Sequence, residues 1–447
     1  MENTCNLCAP LGACIAFKGI EGALPLLHGS QGCATYIRRY LISHFREPID
    51  IASSNFSEAS TIFGGNKNFN TGIDNIIKQY HPSVIAIAST CLAETIGEDV
   101  HRLIGEYRTS HKRPKDLPLL FFASTPSYKH SHYEGFLLAA LAALQALADH
   151  RSAPRQRLNL FSNLIAPEDI RHLKEITDDL LLPSMIFPDY SDTLDGVFHE
   201  NYPRIPQGGT PLEYLRSAPK AFCSIELGYI LNSAAPSPGE FLRNLFSVPS
   251  LRTGIPIGIR QTDKFFDFLT QIAGKNLPQK YVDQRGRLID LYIDGHKYLA
   301  GKRPLIYGEE DLVVALAAFA TEVGMKPILC ASGGESGQLE DVLRKQLGDL
   351  FPSDMRVAQG VTFDDMKNIL NDNDLHPDLL IGNSKGYFLA RLWNVPLVRV
   401  GFPIHDRIGA QHLLSLAYKG SSILFERIVN ALLDDAQRNS SIAHKYM

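Results

Sequence analysis

From about residue 83 to residue 402, short apolar segments rich in β-branched residues alternate with longer stretches of helical periodicity. Apolar runs bounded by Gly, Pro or polar residues suit buried strands, and the intervals between them are long enough for crossover helices, which is the pattern of parallel βαβ units. Strands are expected over 84–88, 119–123, 158–161, 256–259, 305–307, 328–331, 379–381 and 397–400. The stretch 262–299, with Phe265, Phe266, Leu269, Ile272, Leu288, Leu291 and Ile293, predicts long connecting helices. The Pro- and Gly-rich segment 203–211 reads as an irregular loop. Punctuation splits the alternation into three groups and so predicts an α/β protein of three doubly wound parallel-sheet domains. These cover 1–155, 156–262 and 263–447, the last with the connecting helices and a C-terminal helix.

Composition narrows the function classes. A hydrophobic share of 45% and a charged share of 21% are those of a soluble globular chain, and no apolar run is long enough to cross a bilayer. The net charge of −4 gives no pull toward nucleic acid, and the cluster Arg38, Arg39, His44, Arg46 is too short to change that. Met1-Glu2-Asn3-Thr4-Cys5 lacks the basic-then-apolar order of a secretory leader, so a cytoplasmic location and reduced cysteines are expected.

The seven cysteines are unevenly placed: Cys5, Cys8, Cys14 and Cys33 crowd the start, Cys91 follows, and Cys223 and Cys330 are scattered. Cys5 and Cys8 form a Cys-x-x-Cys pair, half of a zinc site or a redox pair, but no second pair completes a zinc site. Cys91 follows an expected strand, where ligands gather in open α/β sheets, and glycines flank Cys33, letting backbone approach a bulky cluster. Residues alone leave open that all three are merely buried small hydrophobes. Cys14, Cys223 and Cys330 read as core. Gly333-Gly-Glu-Ser-Gly337 and Gly382-Asn-Ser-Lys-Gly386 match no nucleotide fingerprint and read as tight helix-packing turns.

Several blocks, in order along nearly the whole chain, carry a resemblance. They are Cys8-Ala-Pro-Leu-Gly, His28-Gly-Ser-Gln-Gly-Cys33, His44-Phe-Arg-Glu-Pro48, Phe56-Ser-Glu58 to Phe63-Gly-Gly65, Thr90-Cys91-Leu-Ala-Glu94, Gly97-Glu-Asp99, Arg285-Gly-Arg287, Gly301-Lys-Arg303, Ile381-Gly-Asn-Ser384 and Gly401-Phe-Pro403. Together they resemble the β-type chains of the nitrogenase component 1 family. The resemblance implies that Cys8, Cys33 and Cys91 hold half of a P-cluster-like [8Fe-7S] group, or a [4Fe-4S] group, shared with an α-type partner in an α2β2 assembly. Ser131, in Ser124-Thr-Pro-Ser127-Tyr-Lys-His-Ser131, falls near the family's additional cluster serine; Ser127 competes, and either could instead cap a helix. The partner chain would bind the catalytic iron–sulfur cofactor, whose cysteine and histidine ligands have no counterpart here, so His405 is not a cofactor ligand. A separate ATP-dependent iron–sulfur reductase would deliver electrons.

Two roles follow from the resemblance. One is an electron-relaying subunit of a reductase, related to nitrogenase or to methylthio-alkane reductase; the short lead before Cys8 argues against dinitrogen reduction in particular. The other is a scaffold on which a cofactor precursor matures. A non-redox α/β binding protein is a third reading. His28 is expected to be structural and able to orient the Cys33 loop, Glu58 and Glu94 to cap or accept hydrogen bonds, and Arg38, Arg39 and Arg46 to form a solvated face or a docking patch.

Overall fold

The computed structural model describes residues 6–110, 117–149, 151, 157–231 and 235–440. Strands β1 (Ala23–His28), β2 (Ala52–Ser53), β3 (Val84–Ser89) and β4 (Leu119–Ala123) form a first sheet in the order β2-β1-β3-β4. A second, β6-β5-β7-β8, uses β5 (Leu158–Phe161), β6 (Ser184–Phe187), β7 (Cys223–Leu227) and β8 (Ser250–Thr253). The third, β11-β10-β9-β12-β13, uses β9 (Pro304–Tyr307), β10 (Leu329–Ala331), β11 (Arg356–Ala358), β12 (Leu379–Gly382) and β13 (Leu397–Arg399). Every ladder among the described residues is parallel. In each sheet the first strand lies inside, with the chain winding to one side and then reversing to the other. Each reversal opens a crevice beyond the strands' carboxyl ends, the usual ligand position of such sheets.

The expected α/β class is therefore found, and seven of the strand positions read from the sequence hold strands. The segment 256–259 does not: β8 ends at Thr253, and Gly258, at φ +84°, turns the chain into the helix Ile259–Ala273. Pro256 has no N–H for a ladder, while Gly258 supplies a backbone angle that a side chain resists. The helices Ile259–Ala273 and Gln279–Leu299 fill the stretch expected to be helical.

The inner strand β1 was hidden because it carries leucines and Pro25 where β-branched residues are usual. The ladder tolerates this proline for a geometric reason. Leu27 turns its carbonyl toward β2, accepting the Ser54 amide at 3.0 Å, and Pro25, two residues earlier, faces the same way. There β2, which pairs only with Leu26 and Leu27, has not yet begun, so no partner is left without a donor.

Two helices fix the chain's entry into the first sheet. Ala9–Lys18 is buried at every position and lies against His132–Leu147 with almost no gap. A Cβ on Gly12 would stand 1.7 Å from the His132 carbonyl oxygen, and one on Gly135 would stand 2.0 Å from that of Ala9. Only glycine permits this crossing.

One buried carboxyl ties the second sheet's outer layer to the C-terminal helix Ala417–Arg438. Asp169, in the first turn of Pro167–Asp179, accepts the Ser415 amide at 2.7 Å and the Leu416 amide at 3.0 Å. Burial pushes its pKa from 3.8 up to about 7, against the pull of these amides. Because the folded value stands above the unfolded one, the group stabilises the fold fully below pH 3.8, and this contribution is lost as pH rises through about 7. Asp169→Asn is expected to flatten the stability profile between those limits by up to about 1.4 kcal/mol per pH unit. Denaturation midpoints of both proteins across that range check this; parallel curves would contradict it.

Candidate functional site

His28 ends β1 in register with Ser89 of β3, so the turns leaving these two strands run side by side. Thr90 joins them, its amide and hydroxyl donating to the His28 carbonyl at 3.2 and 3.1 Å. Gly29 makes the approach possible: a Cβ there would lie 2.0 Å from Thr90 Oγ1. This is the crevice of the first sheet, and both turns carry a cysteine into it.

Cys33 lies in the first turn of the helix Gln31–Phe45, with the Ser30 hydroxyl 3.8 Å from its Sγ. Cys91 opens the short helix Cys91–Thr95, and its Sγ accepts the Ser127 amide at 3.2 Å from the turn after β4. Cys8 is the N-cap of Ala9–Lys18, forms a backbone bridge with Ser131, and is followed by Ala9, whose amide donates to Ser127 Oγ at 3.1 Å. Each of the three half-buried, free thiols thus stands at the start of a helix. Burial pushes the Cys8 thiol up to about 11, the Leu11 amide opposing it and the neighbouring Cys33 and Cys91 thiols adding to it.

The two candidate serines separate. Ser131 caps the helix His132–Leu147: its hydroxyl accepts the Glu134 amide at 3.4 Å and its own amide donates to Glu134 Oε2 at 2.8 Å. Ser127 touches the turns of both Cys91 and Cys8, with its amide and its hydroxyl, whereas Ser131 meets Cys8 only through its backbone. Cys14, Cys223 and Cys330 are buried in the core, and Cys5 lies outside the described residues.

The surrounding polar residues hold the turns in shape. His28 is fully buried between Phe56 and Phe69, with Nε2 3.1 Å from Glu98, whose other oxygen accepts the Gly65 amide at 2.8 Å. Burial lowers the His28 pKa, with Glu98 opposing. Glu94 accepts from the Ser89 and Ser124 hydroxyls, fixing the Cys91 turn to the end of β4. Arg38, Arg39 and Arg46 are all exposed, as expected of a solvated face; Arg38 also donates to the Ile49 carbonyl and Asp50, and Arg46 to the His405 carbonyl. In the third sheet, side chains on Gly382 and Gly386 would collide with Tyr307, as expected of packing turns.

Among the described residues no group of three His, Cys, Asp or Glu side chains converges to hold one metal ion. The thiol trio instead suits a group of several irons, each taking one sulfur. Around the cysteine turns large apolar side chains stand in water: Tyr36 is 64% exposed, Ile62 75%, Phe63 85% and Tyr128 59%. Such a rim, spread over the segments that follow β1, β2 and β4, marks a face built to be covered.

The sequence profile of the family described as "Nitrogenase component 1 type Oxidoreductase" matches residues 8–433. The chain belongs to this family. Among its nitrogenase relatives, the "Nitrogenase molybdenum-iron protein beta chain" of Clostridium pasteurianum is 35% identical over 98% of this chain and 94% of its own length. The protein of that name from Methanococcus maripaludis is 32% identical over 96% and 93%, and that from Frankia alni 33% over 98% and 83%. The solved structure titled "Nitrogenase Cp1 at pH 6.5" superposes with a TM-score of 0.94 at 33% identity, covering 100% of this chain and 96% of that one. A nitrogenase β-type chain is a subunit of an oxidoreductase complex, and the fold here is that of component 1. No helix among the described residues is long and apolar enough to cross a membrane.

Proposed function

We propose that this chain is the electron-relaying β subunit of a nitrogenase component 1, holding with Cys8, Cys33 and Cys91 one half of a P-cluster-type iron–sulfur group whose other half lies on an α-type partner. The observation that carries this reading is the approach of three free thiols from three separate turns: Cys33 and Cys91 leave the paired ends of β1 and β3, both act electrostatically on Cys8, and Ser127 bonds to the Cys91 sulfur and to the amide after Cys8. The donor set fits such a group: soft sulfur ligands, a backbone amide already donating to Cys91 Sγ, and Ser127 as the nearby hydroxyl. Ser131 is the weaker candidate for that oxygen because its hydroxyl caps a helix. When bound, the group would supply reversible electron storage; the chain's part is to orient the thiols and, with the partner, to keep water out. Electrons would come from an ATP-dependent iron–sulfur reductase and leave for a metallocofactor on the partner. Because the Clostridium relative is spanned over 94% of its length, a short lead before Cys8 is no ground for setting this chain apart from chains named for the molybdenum-iron protein.

The test is anaerobic purification with the α-type partner, followed by iron and sulfide analysis and by turnover assays with reductase and ATP on dinitrogen, acetylene and methylthio-alkanes. Iron with turnover is expected. Iron without turnover, together with transfer of a bound precursor to a cofactor-free nitrogenase, would make the chain an assembly scaffold instead, and a complex without iron would end the cluster reading.

A further inference from the structure

His132 and Glu309 are 177 positions apart and are both buried, the imidazole Nε2 standing 2.9 Å from Glu309 Oε1. Glu309 sits just beyond the carboxyl end of β9, at the reversal point of the third sheet, while His132 opens the helix that crosses Ala9–Lys18. The other ring nitrogen, Nδ1, lies 3.1 Å from the Leu7 amide. A backbone amide only donates, so Nδ1 is the acceptor and the ring proton belongs on Nε2, pointing at the carboxylate. The His132 amide donates in turn to the Leu7 carbonyl at 2.9 Å. Leu7 is thus gripped at both its polar groups, one residue before Cys8.

We infer that His132, oriented by Glu309, is a positioning residue for the Cys8 thiol. The inference rests on the proposed role of Cys8 as a cluster ligand. Cys8 lies at a helix cap, and the segment before it is held as well by Asn6, whose Nδ2 donates to the Gly333 carbonyl at 2.9 Å, and by Lys385, whose Nζ donates to the Asn6 carbonyl at 3.4 Å. These anchors reach the third sheet, so the place of this thiol is set in part from outside the sheet that carries Cys33 and Cys91. The His132 ring ties the Leu7 backbone in place, and the buried carboxylate fixes which nitrogen faces it.

Two variants separate this role from simple space filling. In His132→Asn the side-chain oxygen takes the place of Nδ1 and can accept the Leu7 amide, whereas His132→Gln places its amide near Nε2, reaching Glu309 but offering Leu7 nothing. In the anaerobic complex, hydrogen exchange of the 6–11 segment and iron per complex are read together with the spectrum of the reduced and oxidised cluster. His132→Asn is expected to stay near wild type in both. His132→Gln should speed exchange at Leu7 about tenfold, the loss of one hydrogen bond, and should lower iron retention and alter the cluster spectrum. If wild type holds iron and the two variants behave alike, the clamp is overturned while the cluster reading stands. A wild-type complex without iron overturns the cluster reading and the role given to His132 with it.

Discussion

Replacing Cys33 with alanine is expected to cut the iron recovered per complex severalfold and to weaken the hold on the partner chain. Cys33 comes from the turn that the first sheet's crevice is built around, and the spare cysteines among the described residues stand elsewhere: Cys14 is buried in the helix Ala9–Lys18, and Cys223 and Cys330 belong to β7 and β10. A cluster iron deprived of its thiolate has only water or a weaker ligand to turn to, and a metal group that bridges two chains contributes to their association as well as to their folding. Cys330→Ala makes the natural control. It removes a sulfur buried beside Met355, 3.6 Å away, and is expected to leave iron content unchanged while costing some stability. Metal analysis and analytical ultracentrifugation of both variants in the anaerobic complex decide the matter; equal iron in the two would refute the assignment of Cys33.

Gly12→Ala is expected to destabilise the chain by about 3 kcal/mol or more. On helix propensity alone the exchange would gain up to about 1 kcal/mol, so the sign of the result decides which effect governs the position. The new Cβ would fall 1.7 Å from the His132 carbonyl oxygen, which is backbone and cannot swing aside. Moving the helix is no escape either, since Gly135 locks the same crossing 2.0 Å from the Ala9 carbonyl oxygen. Gly105, in the helix Val100–Ser110, meets nothing within 4 Å, so Gly105→Ala should show the propensity gain undisturbed. Thermal unfolding of the two variants should move the midpoint in opposite directions. A Gly12→Ala protein as stable as the parent would mean that the two helices are not held at this separation.

The sequence made the architecture legible where strands are β-branched and bounded by turns, as in β3 and β4. It failed where a strand is disguised. β1 carries a proline that only its orientation toward the late start of β2 makes acceptable, and β2 and β11 are too short to leave a pattern. Segment 256–259 looks like a strand in composition, but its proline and the positive φ of Gly258 belong to a turn entering a helix. At the site, Cys33 and Cys91 could be placed because each follows a glycine-bounded or strand-ended turn. The choice between Ser127 and Ser131 had a readable signal in Ser131-His-Tyr-Glu134, the spacing of a capping box, which assigns Ser131 to the helix start. The grip of His132 on Leu7, by contrast, depends on Glu309, and no local pattern reaches across 177 positions.

The bare aromatic and aliphatic rim beside the cysteine turns also bears on how the protein must be made. Side chains such as Phe63, 85% exposed, and Ile62, 75% exposed, are adhesive in water, and their owner is prone to clump whenever its synthesis outruns that of whatever covers them. On the proposed pairing with an α-type chain, matched production of the two polypeptides is therefore expected to raise the yield of usable complex.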